Sequence, residues 1–296
     1  MRIAVTGATG VLGQYVVKEL SQDHDCLLLG RSIEKLNSTF KIRSRYRLFA
    51  VDYSIHSLES ALTDVQSLVH LAGLRPGDGV NGPEIYRENV RITGNVFEAC
   101  GNLGITNVVF ASSGSVYTTG IDSLPFIEDR DVSPSSFYAA GKVAMEKLGC
   151  VFGLKLKSLR VASIIGIGEN PGYMRMAFIY RARRCAPLII LGDGADRREY
   201  IYGKDAARAI SLALEKPELA AVINIGSGES VSHWEYANKV NQVFAGGKSE
   251  IIIKREKVGD VESYLMSSKK ALELLDFKPE FDLVNTLNDL KRDMDA

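Results

Sequence analysis

Residues 135–142 read SSFYAAGK, placing Tyr138 and Lys142 four apart at the head of an apolar-periodic stretch, YAAGKVAMEKL. On a helix, positions i and i+4 share a face. A phenol and an ammonium so placed are either two solvated side chains or a proton donor tuned by a cation. A free phenol titrates at about pH 10 and needs such help to act near neutrality. Tyr200 and Lys204 repeat the spacing, so spacing alone does not choose. The second pair lies in EYIYGK, a strand-like run broken by Gly203, and its side chains are expected to diverge. The first pair lies downstream of NVVFASSGSVY, a strand whose serines fall at its carboxyl end. Ligands bind at that edge of an open α/β sheet.

A second constellation opens the chain. Residues 2–13, RIAVTGATGVLG, run from an apolar strand through Gly7, Gly10 and Gly13 into the helix-like QYVVKEL. Directly between a first strand and a first helix, such glycines form a dinucleotide turn. Gly7 permits the tight turn, Gly10 lets backbone approach a pyrophosphate, and Gly13 lets the helix pack on the strand. The positive helix N-terminus then faces the phosphates, with Gly7, Thr9, Gly10, Val11, Leu12 and Gly13 as candidate contacts. The second strand ends LLLGRS, with Arg31 where an NAD site usually offers an acid to the ribose. A guanidinium there suits a 2′-phosphate, so NADP is expected, with NAD possible. Asp52 and Tyr53, ending the third strand, are candidates for the adenine side. Leu71, Ala72 and Gly73, ending the fourth, would let backbone pass the adenosine ribose.

These residues need a frame, and the hydrophobic pattern supplies one. Strand-like runs at 2–6, 26–29, 48–51, 67–71, 107–111 and 157–161 alternate with helical periods at 11–20, 55–62, 83–100 and 134–152. The alternation predicts a doubly wound parallel α/β sheet of Rossmann type. Pro83 and Pro134 suit helix starts. Beyond about residue 165 the pattern is less regular, with helices expected at 173–185, 205–215, 232–244, 268–275 and 283–294 and a strand at 221–225. We expect a dinucleotide-binding domain over 1–165 and a smaller α/β substrate lobe over 166–296, some of whose segments return to the first domain.

The totals exclude several classes. The 296 residues carry 36 basic and 36 acidic side chains, so no net charge steers the chain to nucleic acid or anionic membrane. No apolar run is long enough to span a bilayer, and no leader-like segment opens the sequence. The four cysteines and four histidines are scattered, without ligand spacing, so no metal site is expected. Free thiols fit a cytoplasmic protein. His70, inside SLVHLAG, reads as a core residue.

Together these motifs resemble the extended short-chain dehydrogenase/reductase family, in its NAD(P)-dependent nucleotide-sugar epimerase/dehydratase/reductase branch. TGATGVLG is similar to its TGxxGxxG turn, ASSGSVY to its SS-x-x-VY segment, and YAAGK to its YxxxK. ENVRITGNVFEA resembles its N-V-x-x-T-x-N helix, LGDGADRREYIYGKDAARAI its GDG…RDF segment, and INIGSGESVS the strand and loop that follow. The resemblance spans nearly the whole chain. It implies that Tyr138 is a general acid/base, that Lys142 holds the nicotinamide ribose and favours the phenolate, that Ser113 hydrogen-bonds the reacting oxygen, and that Asn89 supports them. It also implies that Arg198 binds the diphosphate of a nucleotide sugar, and that dimers form through helices at 83–101 and 134–152. Val90, Val96, Phe97, Val143 and Met145 are the apolar candidates there.

Two departures mark the substrate pocket. Ser163 stands where the family often has Asn, and Thr118 where Gly usually follows VY. The acidic pair that 4,6-dehydratases carry before VY is here Gly114-Ser115, so water elimination lacks its groups. A ketoreductase or a 4-epimerase remains, and Arg31 favours the reductase, because epimerases of this branch usually use NAD. A non-nucleotide carbonyl substrate, or a coenzyme-binding regulator without turnover, are the alternative readings.

Overall fold

A computed structural model of the chain describes residues 1–40, 45–118, 124–255 and 262–295. In chain order the first part runs β1 (Arg2–Thr6), α1 (Val11–Leu20), β2 (Asp25–Gly30), α2 (Ile33–Thr39), β3 (Tyr46–Ala50), α3 (Ile55–Leu62), β4 (Ser67–His70), α4 (Gly82–Asn102), β5 (Asn107–Ser113), α5 (Phe137–Leu148) and β6 (Lys155–Val161). There follow β7 (Ser163–Ile165), α6 (Met174–Ala182), β8 (Leu188–Leu191), β9 (Arg197–Tyr202), α7 (Gly203–Leu214), β10 (Ala221–Ile225), β11 (Ser230–Ser232), α8 (His233–Ala245), β12 (Ile251–Lys254), α9 (Lys269–Leu275) and α10 (Leu283–Asp295).

The large sheet has seven strands in the order β10-β6-β5-β4-β1-β2-β3, all parallel. Parallel strands covered on both faces are buried along their length, and β1 from Ile3 on and all of β4 are so. One face is covered by α1, α7 and α9, whose Val16, Leu20, Ile210, Ala213, Ala271 and Leu275 share a core with Val5 and Leu28. The other is covered by α3, α4 and α5 through Leu58, Val96, Phe97 and Met145. The winding reverses between β1 and β4, which opens a crevice at their carboxyl ends.

A second body packs α6, α8 and α10 around Phe178, Tyr236 and Leu287. It carries the small sheets β11-β9-β7 and β12-β8. Strand β10 and helices α7 and α9 lie beyond residue 165 yet complete the large sheet and its core, so the chain returns to its first layer after leaving it.

The two proline-marked helix starts turn out differently. Helix α4 begins as predicted, with Asn81 accepting from Glu84 N–H and Pro83 in the first turn. Helix α5 begins at Phe137, because the Ser136 hydroxyl accepts from Ala139 N–H and caps it there, leaving Pro134 outside. Its predicted last turn is a 3-10 turn over 149–152. Of the apolar residues expected at a dimer face, Val96, Phe97 and Met145 are buried in the core, while Val90 and Val143 stay half-buried.

Candidate active site

The first turn is built for close approach. Gly7 sits at φ +68°, and a Cβ there would lie 2.6 Å from Ala72 N. A Cβ on Gly13 would fall onto the Gly7 carbonyl and within 2.5 Å of the Ala8 oxygen, so α1 can dock against the turn only without one. Gly10 differs: its Cβ would meet the Gly7 oxygen at 3.2 Å and otherwise face open space. Helices α2 to α5 are each capped by a Ser or Asn side chain, whereas α1 has no side-chain cap and no acid in its first turn. Its free N–H groups and positive end fit a pyrophosphate.

The predicted coenzyme residues Arg31, Asp52, Tyr53, Leu71, Ala72 and Gly73 follow the carboxyl ends of β2, β3 and β4. Thr6 Oγ1 accepts from Leu71 N and Ala72 N, which ties the end of β4 to the end of β1. The same hydroxyl meets His70 Nδ1 at 2.7 Å, and Thr93 Oγ1 meets Nε2 at 3.0 Å. With Thr6 already accepting twice, its proton goes to Nδ1, and the ring is neutral. Burial pushes its pKa down to about 3, so His70 is a satisfied core residue. Arg31 lies exposed just past β2. Asp52 is exposed and accepts from Ser54 N at 2.8 Å, whereas Tyr53 is buried at φ +62°, its backbone carbonyl held by Asn95. Gly73 is exposed beside Asn89.

At the carboxyl edge of β5, Ser113 and Tyr138 come together. Burial pushes the Tyr138 phenol up to about 12, while the Arg75 guanidinium and then the Ser113 hydroxyl, within hydrogen-bonding reach, work against that rise. Lys142 is buried, and its Nζ donates to the Ala111 carbonyl at 2.7 Å, 5.5 Å from the centre of the Tyr138 ring. Burial lowers its pKa to about 8, opposed by Glu146. Arg75 thus joins the groups around the phenol as one to which the sequence did not point. The buried Asn89 accepts from Leu74 N at 2.7 Å and donates to Leu74 O at 2.9 Å, fixing the loop that carries Arg75.

Arg75 escaped the sequence reading. So did its partners, which lie nearly a hundred residues away. Its guanidinium forks onto Glu169 with two bonds of 3.1 Å, and Arg175 adds a third at 2.9 Å. Burial alone would raise Glu169, but the two arginines and the Asn170 N–H hold it below the usual range. Tyr173 donates to Pro76 O at 2.6 Å and closes the cluster. The only available signal was the pair of charges in GLRPGDG and GIGENPG, which chemistry alone could not connect.

In the second body, Arg198 on β9 pairs with Glu262 at 2.5 Å, and Arg197 is spent on Ser230 O and Glu235. Ser163 is exposed at the head of β7. The second Tyr/Lys pair diverges: Tyr200 packs on Tyr236, and Lys204 pairs with Asp289 and Asp293. Among the described residues no cluster of three or more His, Cys, Asp or Glu could hold a metal, and no helix is long and apolar enough to cross a membrane.

Residues 3–226 match the model of the NAD dependent epimerase/dehydratase family. The chain belongs to that family. It is an enzyme of the extended short-chain dehydrogenase type, with nucleotide-sugar epimerases among its relatives. Among solved structures, UDP-N-acetylglucosamine 4-epimerase from Bacillus cereus superposes with a TM-score of 0.88 at 32% identity, over 100% of this chain and 97% of that one. MoeE5, in complex with UDP-glucose and NAD, superposes with a TM-score of 0.85 at 28% identity over 100% of both chains. An uncharacterized UDP-glucose epimerase of Bacillus subtilis (strain 168) is 28% identical over 305 residues, 97% of this chain and 96% of that protein.

Proposed function

We propose that the chain is an NAD-dependent 4-epimerase of a UDP-linked sugar. The observation that carries this reading is the meeting of Tyr138 and Ser113 at the edge of β5. Tyr138 takes the proton of the sugar 4-hydroxyl and returns it to the same oxygen; Ser113 hydrogen-bonds that oxygen throughout. Lys142, one helical turn on, holds the coenzyme ribose, and Arg198 anchors the diphosphate while the sugar turns over. Bound NAD supplies an acceptor and donor for the C4 hydrogen and a positive charge that draws the phenol down toward neutrality.

The departures fit this chemistry. A side chain on residue 114 would run into the Tyr264 hydroxyl and within 3.2 Å of Met266 Sδ, so the acid of a dehydratase has no room there. The earlier preference for a ketoreductase rested on Arg31, and the relatives give it no support. We keep Arg31 as a residue that can admit a 2′-phosphate beside the ribose. The reading carries a homodimer through α4 and α5 and a cytoplasmic setting.

Incubating the protein with NAD and either UDP-glucose or UDP-N-acetylglucosamine should yield the 4-epimer with no net reduction of coenzyme. Tyr138→Phe should abolish this turnover while NAD still binds. Consumption of one NADPH per product would overturn the epimerase in favour of a reductase. Bound coenzyme without turnover of any sugar nucleotide would favour a regulator.

A further inference from the structure

The guanidinium given above to the diphosphate already holds an anion. Arg198 Nη2 donates to Glu262 Oε2 at 2.5 Å, and Nη1 donates to the Arg197 carbonyl at 3.0 Å. Strand register leads from the reacting edge to this arginine. Ser113 pairs with Val161, Ser163 comes two residues later and pairs with Tyr200 on β9, and Arg198 stands two residues before Tyr200. The backbone of Glu262 is fixed. Arg197 N–H donates to the Glu262 carbonyl at 2.8 Å, and Glu262 N–H donates to Asp196 Oδ1 at 2.9 Å. Further along the same segment, Met266 N–H donates to the buried Glu199 carboxylate at 2.9 Å. Phe126 N–H donates to Leu265 O, and Ser267 N–H to Phe126 O, both at 2.8 Å. The Glu262 side chain is not so held: it is 49% exposed, against 27% for Arg198. An exposed side chain changes rotamer quickly and without moving strand or loop. Two arrangements follow, the carboxylate on Arg198 or turned out to water.

We propose that Glu262 is an internal competitor for the nucleotide diphosphate: its carboxylate holds Arg198 until the nucleotide arrives, and must turn away for the phosphates to take its place. The proposal rests on the assignment of Arg198 to the diphosphate under Proposed function. A phosphate brought to this guanidinium meets a like charge at contact distance, so either the two anions repel or the carboxylate leaves. In both cases Glu262 subtracts from the affinity for nucleotide. Because the pair is partly in solvent its own strength is small, and the diphosphate displaces it readily. Arg197, next along β9, is not the group contested: it is matched separately by Ser230 O and Glu235.

The test is calorimetric titration of UDP into the full chain saturated with NAD, for the parent, Glu262→Gln, Arg198→Ala and the double variant. Glu262→Gln should tighten UDP by about two- to fivefold, the worth of an exposed ion pair, and leave NAD affinity where it was. In the Arg198→Ala background the same change should gain nothing. A Glu262→Gln protein that binds UDP as the parent does overturns the proposal. One that binds it more weakly also does, and makes Glu262 a brace for Arg198 instead. A gain that persists without Arg198 overturns it as well. If Arg198→Ala alone binds UDP like the parent, the diphosphate assignment itself fails, a result distinct from all of these.

Discussion

The two glycines that flank the start of α1 should fail in different ways when given a methyl group. At Gly13 the methyl carbon would sit within 2.7 Å of three backbone atoms of the turn, none of which can rotate away. Overpacking of this kind costs about 1–3 kcal/mol or more, and three backbone contacts put it at the upper end. Exchanging Gly for Ala inside a helix returns about 1 kcal/mol, leaving a net loss of about 2 kcal/mol. For a chain of this size that lowers the melting temperature by about 3 °C. At Gly10 the backbone is already extended, at φ −74° and ψ 170°, and the methyl meets a single atom at 3.2 Å. Gly10→Ala should therefore cost about 1 kcal/mol at most, the penalty of alanine at an N-cap. Its methyl would stand on the ligand side of the turn, so NAD affinity should fall at least about tenfold, the equivalent of about 1.4 kcal/mol. Thermal melts and NAD titrations of both variants separate the cases. A Gly13→Ala protein that melts like the parent, or a Gly10→Ala protein that binds NAD like the parent, would refute the packing argument.

Other expectations follow from single contacts. Arg31→Ala should weaken NADP at least about tenfold and leave NAD unchanged, the loss of one charge-assisted phosphate contact; an unaltered NADP/NAD ratio in a fluorescence titration would remove Arg31 from the ribose. Arg198→Ala should weaken UDP by about tenfold without touching NAD affinity, and calorimetry that finds UDP binding unchanged would move the diphosphate elsewhere. His70 titrates at 6.5 unfolded and at about 3 folded, so between these values the unfolded chain binds the extra proton and stability falls as pH falls. The full span is worth up to about 5 kcal/mol at about 1.4 kcal/mol per unit. His70→Gln should flatten the drop in urea midpoint from pH 6.5 to 4, and an undiminished slope would place the acid sensitivity in other groups.

Much of the frame could be read from hydrophobic period. Strand β1, helices α1 and α3, and strand β10 fall where the pattern puts them to the residue, because each is bounded by glycine, serine or a charged turn. Helix α2 went unread: it has seven residues and buries only Leu36, too few for a period to show, and its start is declared by the Ser32 cap alone. The strands β7, β8, β11 and β12 have three or four residues each and pair only within small sheets of the second body. Runs that short carry no alternation. Their partners lie far off in sequence, as when β12 joins β8 across more than fifty residues.

The site divides along the same line between local and distant causes. The glycine turn is legible because its steric demands fall within a dozen residues, and each glycine answers a nearby backbone atom. The Tyr/Lys spacing is legible only with context, since Tyr200 and Lys204 share it and end in different surroundings, one against Tyr236 and the other against Asp289. What separates the pairs is secondary structure: four residues along a helix return a side chain to the same face, and four along a strand that turns into a helix do not. The electrostatics of the phenol could not be read at all. They depend on Arg75, which is aimed by Glu169 from a loop ninety-four positions on and by Asn89 from α4. A charge acts through space with no regard for sequence, so the groups that set the acidity of Tyr138 leave no periodic trace, and only the fold names them.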